Sequence, residues 1–135
     1  MSFEVRPIGH VVSGLKTRRE APRQPDEGAP EARVVVDDEF LAALEGIDPG
    51  DRVVVLTWLH QSDRSVLTTH PRSDDNPVVS GVFATRSPDR PNPIGLHSTT
   101  VLDIDGTTIT VDRLEAIDGT PVLDIKPVIG EVEDR

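Results

Sequence analysis

Apolar residues fall along this chain in short clusters, either alternating or continuous over a few positions, and long helical stripes are missing. Phe3 to Gly14 reads as an opening strand, with Val5, Ile8, Val11 and Val12 as β-branched positions and Gly14 as its end. Lys16 to Glu31 is nearly devoid of apolar residues and carries Pro22, Pro25 and Pro30, which predicts a long loop, of a length that is more often functional or mobile than incidental. Val34-Val35-Val36 predicts a short strand. Asp37 or Asp38 is placed to cap a helix bearing Phe40, Leu41 and Leu44 on one face and ended by Gly46, before a turn at Asp48-Pro49-Gly50.

The second half repeats the strand theme. Arg52 to Gln61 contains the uninterrupted run Val53-Val54-Val55-Leu56, the signature of a strand covered on both faces, followed by Trp58 and Leu59. Gln61 to Asn76 is polar, with an acidic tip at Asp74-Asp75, and Val78 to Thr85 predicts a further strand. Ile94 to Ile104 and Thr107 to Leu114 flank Asp105-Gly106, a hairpin signal that places Leu102 and Ile104 inside with Ile109 and Val111. Asp118-Gly119 makes another turn and Val122 to Ile125 a last strand. Many short strands and little helix predict an all-β fold: a single, mostly antiparallel β-barrel over residues 1–135, with one or two short helices.

Composition narrows the chemistry. Aromatic residues make up only 3% of the 135 residues, so the core must rest on Val, Ile and Leu. The absence of cysteine excludes disulfides, thiolate catalysis and cysteine-ligated zinc. No apolar run reaches membrane-spanning length and the first residues lack a signal-peptide pattern, so a soluble, cytoplasmic protein is expected. His10, His60, His70 and His97 show none of the tight spacings of zinc sites, and no metal is expected. Neither a glycine-rich dinucleotide fingerprint, a P-loop nor a serine-hydrolase elbow is present. The net charge of −10 opposes nucleic-acid binding, but it is uneven: residues 1–23 hold five basic and two acidic residues, the remainder nine basic and 22 acidic.

The most informative stretch is Gly81-Val82-Phe83-Ala84-Thr85-Arg86-Ser87-Pro88-Asp89-Arg90-Pro91-Asn92-Pro93-Ile94-Gly95. Pro88, Pro91 and Pro93 exclude a central strand and predict a stiff loop that fixes the directions of Arg86, Arg90 and Asn92. Taken alone, such a loop is either a strand connector with solvated arginines or a polar recognition element.

This segment resembles the signature of the TsaA-like, or TrmO, family of S-adenosylmethionine-dependent methyltransferases that modify tRNA. Ala21-Pro22-Arg23-Gln24-Pro25, Leu59-His60-Gln61 and Asp118-Gly119-Thr120-Pro121-Val122-Leu123-Asp124-Ile125-Lys126-Pro127 agree with it in order and approximate spacing. The resemblance implies an S-adenosyl-L-methionine site at the barrel, close to or across a homodimer interface. Its cofactor-binding residues would be Pro22, Arg23, Gln24, His60, Gln61, Arg86, Leu96, Asp118, Gly119, Thr120 and Pro121. Gln24 and Gln61 suit an adenine edge or ribose hydroxyl, and Arg23 or Arg86 the methionine carboxylate.

The implied reaction is methylation of the exocyclic N6 of threonylcarbamoyl-adenosine at position 37, beside the anticodon of tRNA. Arg90, Asn92 and Lys126 are the tRNA-contact candidates, and His60, Asp118 and Asp124 the candidates for a general base. Two positions depart from the family pattern. Val128 stands where relatives often have an aromatic residue, and Asp89 where they often have an aromatic or basic one. The chain ends soon after the expected barrel, so tRNA contacts are expected from the barrel or its dimer. Two other functions fit the same residues: methylation of a different RNA or a small molecule, and a non-catalytic module that binds S-adenosylmethionine.

Overall fold

The computed structural model describes residues 1–14, 31–70 and 78–130. Six strands carry the chain: β1 (Gly9–Val12), β2 (Ala32–Val36), β3 (Arg52–Trp58), β6 (Ile94–Asp105), β7 (Thr108–Val111) and β8 (Pro121–Pro127). A separate two-stranded ribbon pairs β4 (Thr68–Thr69) with β5 (Ser80–Gly81). The six strands close into an antiparallel barrel in the order β1-β2-β7-β6-β3-β8. The fold is all-β, as the short clusters predict.

Alternation decides which side chains fill it. Val11 on β1, Ala32, Val34 and Val36 on β2, Ile109 and Val111 on β7, and Val53 and Val55 on β3 point inward and pack together with Val101, Leu114 and Val122. The core is aliphatic and mostly valine, the residue that fits a pleated surface best. Val54 is also buried although it faces away from the interior, as the uninterrupted run predicted for this strand.

Three expectations need correction. The opening strand is confined to Gly9–Val12, and Phe3 and Val5 are exposed. The segment after Asp37 is a 3-10 helix over Asp38–Leu44; Asp37 makes no side-chain cap, Leu44 is buried and Leu41 faces solvent. The strand expected over residues 78–85 is reduced to Ser80–Gly81, followed by a 3-10 turn at Val82–Ala84.

The β6–β7 hairpin forms one residue away from its predicted position. Asp105 pairs with Thr108, leaving Gly106-Thr107 as the loop, and Gly106 takes the left-handed φ of 62° that a tight turn needs. A bulge between Val101 and Asp103 absorbs one extra residue. Leu102 follows the inward Val101 and faces outward, and the bulge then restores Ile104 to the core side, so the two do not share the inner face as expected.

Candidate functional site

Strand register brings the separated motifs to one end of the barrel. Trp58, the last residue of β3, pairs with Ile94, the first of β6, while Thr57 pairs with Val122 near the start of β8. His10 pairs with Pro121, and beyond β1 the Ser13 amide donates to Asp118 Oδ1 at 3.0 Å. The loops after β3, before β6 and before β8 therefore converge at this end. The end is floored by Leu114, Ala116 and Ile117, all buried. Pro22, Arg23 and Gln24 lie outside the described residues.

Two loops lock together above this floor. The Leu59 amide donates to the Pro93 carbonyl at 2.8 Å, and the Asp63 amide to Asp89 Oδ1 at 2.8 Å. Arg64 lies 5.1 Å from the Trp58 ring centroid, donates Nε–H to the Pro91 carbonyl at 2.7 Å and Nη2–H to Asn92 Oδ1 at 3.0 Å. Within the proline-rich loop, Arg90 donates Nε–H to the Ser87 carbonyl at 2.7 Å and Nη2–H to the carbonyls of Val82, at 2.6 Å, and Thr85. Its planar guanidinium staples three carbonyls of a turn whose own prolines bring no amide donors.

Arg90 and Asn92, the tRNA-contact candidates of the loop, thus build the loop itself. Asp89 ties the two loops together through the Asp63 amide. Arg64 and Asp63 were invisible as partners in the sequence, because they meet the proline loop only at sequence separations of 26 to 28.

Beneath the loops sits a buried polar pair. Thr57 Oγ1 and His97 Nε2 are 2.8 Å apart, with Thr57 fully buried and His97 only 5% exposed. Burial pushes the imidazole down to about 4, so it is neutral near neutral pH. Its Nδ1 is buried with no hydrogen-bond partner among the described residues. Gly95 makes room for this ring. A side chain there would strike Thr57 Oγ1, come within 2.7 Å of His97 Nε2 and press on Leu59 at 3.2 Å. Period-two reading of Gly95, His97, Thr99 and Val101 was the available signal that this histidine faces inward.

One strand step away, Asp112 Oδ1 accepts the Thr100 amide at 2.9 Å and the Thr99 hydroxyl at 2.8 Å. Partial burial opposes its charge, but these hydrogen bonds win and hold the carboxyl below its usual value.

The remaining site residues divide into two groups. His60, Gln61 and Arg86 are exposed at the loop end. The Asp118–Pro121 turn lies beside them with most of its polar groups in use. The Gly119 amide donates to Val11, the Thr120 carbonyl accepts from the Val11 amide, and the buried Thr120 hydroxyl donates to Ile117 at 2.7 Å. Leu96, Asp124 and Lys126 lie on the outer wall: Leu96 and Asp124 both pair with Leu56, and Lys126 with Val54. Lys126 is ion-paired to Asp124 at 3.2 Å and stands four residues along β3 from Trp58, or roughly 13 Å from the loop end.

Charge is polarised along the barrel. Asp37, Asp38, Glu39, Glu45, Asp48 and Asp51 fall in the segment joining β2 to β3, and Asp103 and Asp105 at the end of β6. All lie at the end opposite the loops. Arg64, Arg86 and Arg90 stand at the loop end together with Asp63, Asp89 and Asp118, so the contrast is between an acidic end and a mixed one. No group of acidic or histidine side chains among the described residues is arranged to hold a metal ion, and no described helix is long and apolar enough to cross a membrane.

A closed six-stranded barrel with an arginine-stapled proline loop at one end is the architecture these observations define. The family model for the tRNA-methyltransferase O N-terminal domain matches residues 10–134, and the chain belongs to that family. It is 39% identical to a probable S-adenosyl-L-methionine-binding protein of Methanothermobacter thermautotrophicus, over 98% of this chain and 95% of that one. It is 36% identical to an S-adenosyl-L-methionine-binding protein of Archaeoglobus fulgidus, over 96% of this chain and 91% of that one. Among solved structures it resembles TrmO from Pseudomonas aeruginosa, with a TM-score of 0.78 and 30% identity. That match covers all of this chain but 61% of the longer protein.

Proposed function

We propose that this chain binds S-adenosyl-L-methionine at the loop end of the barrel and methylates the exocyclic N6 of threonylcarbamoyl-adenosine at position 37 of tRNA, acting as a cytoplasmic homodimer. The observation that carries the reading is the convergence of Leu59-His60-Gln61, the proline loop and Asp118–Pro121 at one barrel end, away from the acidic end. The names of its relatives and of the family supply the cofactor and substrate class.

The donor set suits such a cofactor. Arg86 is an exposed guanidinium suited to a carboxylate, Gln61 an exposed amide suited to a ribose or adenine edge, and Leu96 an outward apolar wall. Pro22, Arg23 and Gln24, which lie outside the described residues, are assigned to the same cofactor by the family resemblance. With its hydroxyl and amides committed to the fold, the Asp118–Pro121 turn contributes shape and its outward surface.

When bound, the cofactor supplies an electrophilic methyl group; the protein supplies alignment and a proton acceptor. The N6 lone pair is delocalised into purine and carbamoyl group, so attack requires loss of the N6 proton. Of the three candidates, Asp118 accepts the Ser13 amide and Asp124 is paired with Lys126. His60 is exposed and makes no hydrogen bond to another described residue, which favours it as the base. Incubation with labelled cofactor and tRNA, with and without the threonylcarbamoyl group, tests the reading. Label only in the modified tRNA supports it, and equal or no label refutes it.

The commitment of Arg90 and Asn92 to the loop leaves fewer groups for tRNA and favours a second reading, a different RNA or a small molecule as acceptor. An unchanged methylated threonylcarbamoyl-adenosine peak in tRNA nucleosides from a deletion strain would support it.

A further inference from the structure

The chain has one tryptophan, three phenylalanines and no tyrosine. Their placement leaves a single bare aromatic face at the loop end. Phe40 packs against the core. Trp58 is covered by the Arg64 guanidinium. Phe3 lies in the segment that enters β1 from the opposite end. Phe83 remains, at the centre of the Val82–Ala84 turn, 83% exposed.

Its backbone is held firmly. The neighbouring Val82 is buried, its amide donates to the Leu67 carbonyl at 2.9 Å, and its carbonyl accepts from Arg90 Nη2, the Thr85 amide and the Thr85 hydroxyl. A phenyl ring held in water on a rigid turn forgoes the gain of burial in the free protein. Arg86 follows three positions later in the same loop and is also exposed. An aromatic face with a cation in the same loop is the pairing that splayed RNA bases and their phosphates meet.

The position after Pro127 offers no alternative. The Val128 amide donates to the Arg52 carbonyl at 3.0 Å, at the far end of β3. It stands six residues from Trp58, roughly 20 Å away, so no side chain there reaches the loop end of its own barrel.

Resting on the tRNA reading above, we infer that Phe83 is the platform on which an unstacked base of the tRNA anticodon loop stacks, with Arg86 toward the adjoining phosphate or the cofactor carboxylate. Leu67, Val78 and Val79, also exposed on the neighbouring ribbon, make a second copy of this chain the competing occupant. The specific choice of RNA follows from an exposed aromatic ring carried on the same loop as an arginine, since aliphatic surface alone would serve a protein contact.

The test is binding of a synthetic tRNA anticodon stem-loop to full-length Phe83→Leu, Phe83→Tyr and wild type, with S-adenosylmethionine binding measured in parallel. Phe83→Leu keeps apolar bulk and loses the aromatic face. It is expected to weaken stem-loop binding roughly tenfold to a hundredfold, with cofactor affinity, melting temperature and the salt slope of binding unchanged, and Phe83→Tyr is expected to restore affinity. Equal stem-loop affinity in wild type and Phe83→Leu overturns the inference while leaving the tRNA reading intact. A changed oligomeric mass of Phe83→Leu in light scattering overturns it in favour of a contact between copies. If wild type binds cofactor but no stem-loop, the tRNA reading falls and takes this inference with it.

Discussion

Acidification should destabilise this barrel through His97 before it touches the carboxylates. The imidazole titrates near 6.5 in an unfolded chain and is pushed down to about 4 by burial against Thr57. A folded state that binds the proton more weakly is stable above the unfolded value and loses stability as pH falls from about 6.5 towards 4. The difference corresponds to about 3 kcal/mol when fully expressed. That is a large part of the margin of a small domain. The Asp112 carboxyl, held below its usual value by Thr99 and Thr100, contributes stability lost only at still lower pH, so the two effects separate. Urea unfolding at intervals from pH 7.5 to 4.5 should show wild type losing about 2–3 kcal/mol. His97→Asn, which keeps a hydrogen-bonding group but cannot charge, should lose much less. Parallel stability curves for the two proteins over this window would refute the assignment of a buried neutral imidazole.

Replacing Arg90 by lysine keeps the charge but removes the planar fork, so the Thr85 and Ser87 carbonyls lose their guanidinium donor and the Val82 carbonyl loses one of three donors. A loss of about 1–3 kcal/mol and faster proteolysis within residues 82–93 are expected, measured by melting and limited digestion. Gly95→Ala places a methyl group against Thr57, His97 and Leu59 and should cost about 1–3 kcal/mol in urea unfolding, unlike Gly14→Ala, where nothing lies within 4 Å. Val128→Phe introduces the aromatic residue that the family resemblance leads one to expect, at a position remote from the loop end, so methyl transfer to tRNA should stay within about twofold of wild type. A large gain would show that this position reaches a site, on the same chain or on a partner copy.

Much of the architecture is legible along the chain because strand formation is governed locally. The valine runs of β2 and β3 and the alternation of β7 announce strands with a buried face, and the prolines of the signature loop exclude strand there; in β6 the apolar Ile94 and Leu96 face out and His97 and Thr99 face in, which hydrophobic alternation does not reveal. Further along β6, one residue made the difference. The bulge at Leu102 inverts the facing of every later side chain on β6, and only cross-strand pairing with β7 reveals it.

The residues of the proposed chemistry, His60, Gln61, Arg86 and the Asp118–Pro121 turn, were pointed out by the family resemblance and not by residue type alone. Their meeting at one end, and the separation of the acidic segment at the other, depend on closure of the barrel, which joins β1 to β8 across more than a hundred positions of chain. Packing within and between the loops decided that Arg90 holds carbonyls of its own turn, that Arg64 braces Pro91 and Asn92, and that Phe83 stays bare at the loop end. The pleat fixes which neighbours alternate along a strand. Which distant loops share an end is set by register, and register is a property of pairs of strands that no single segment contains.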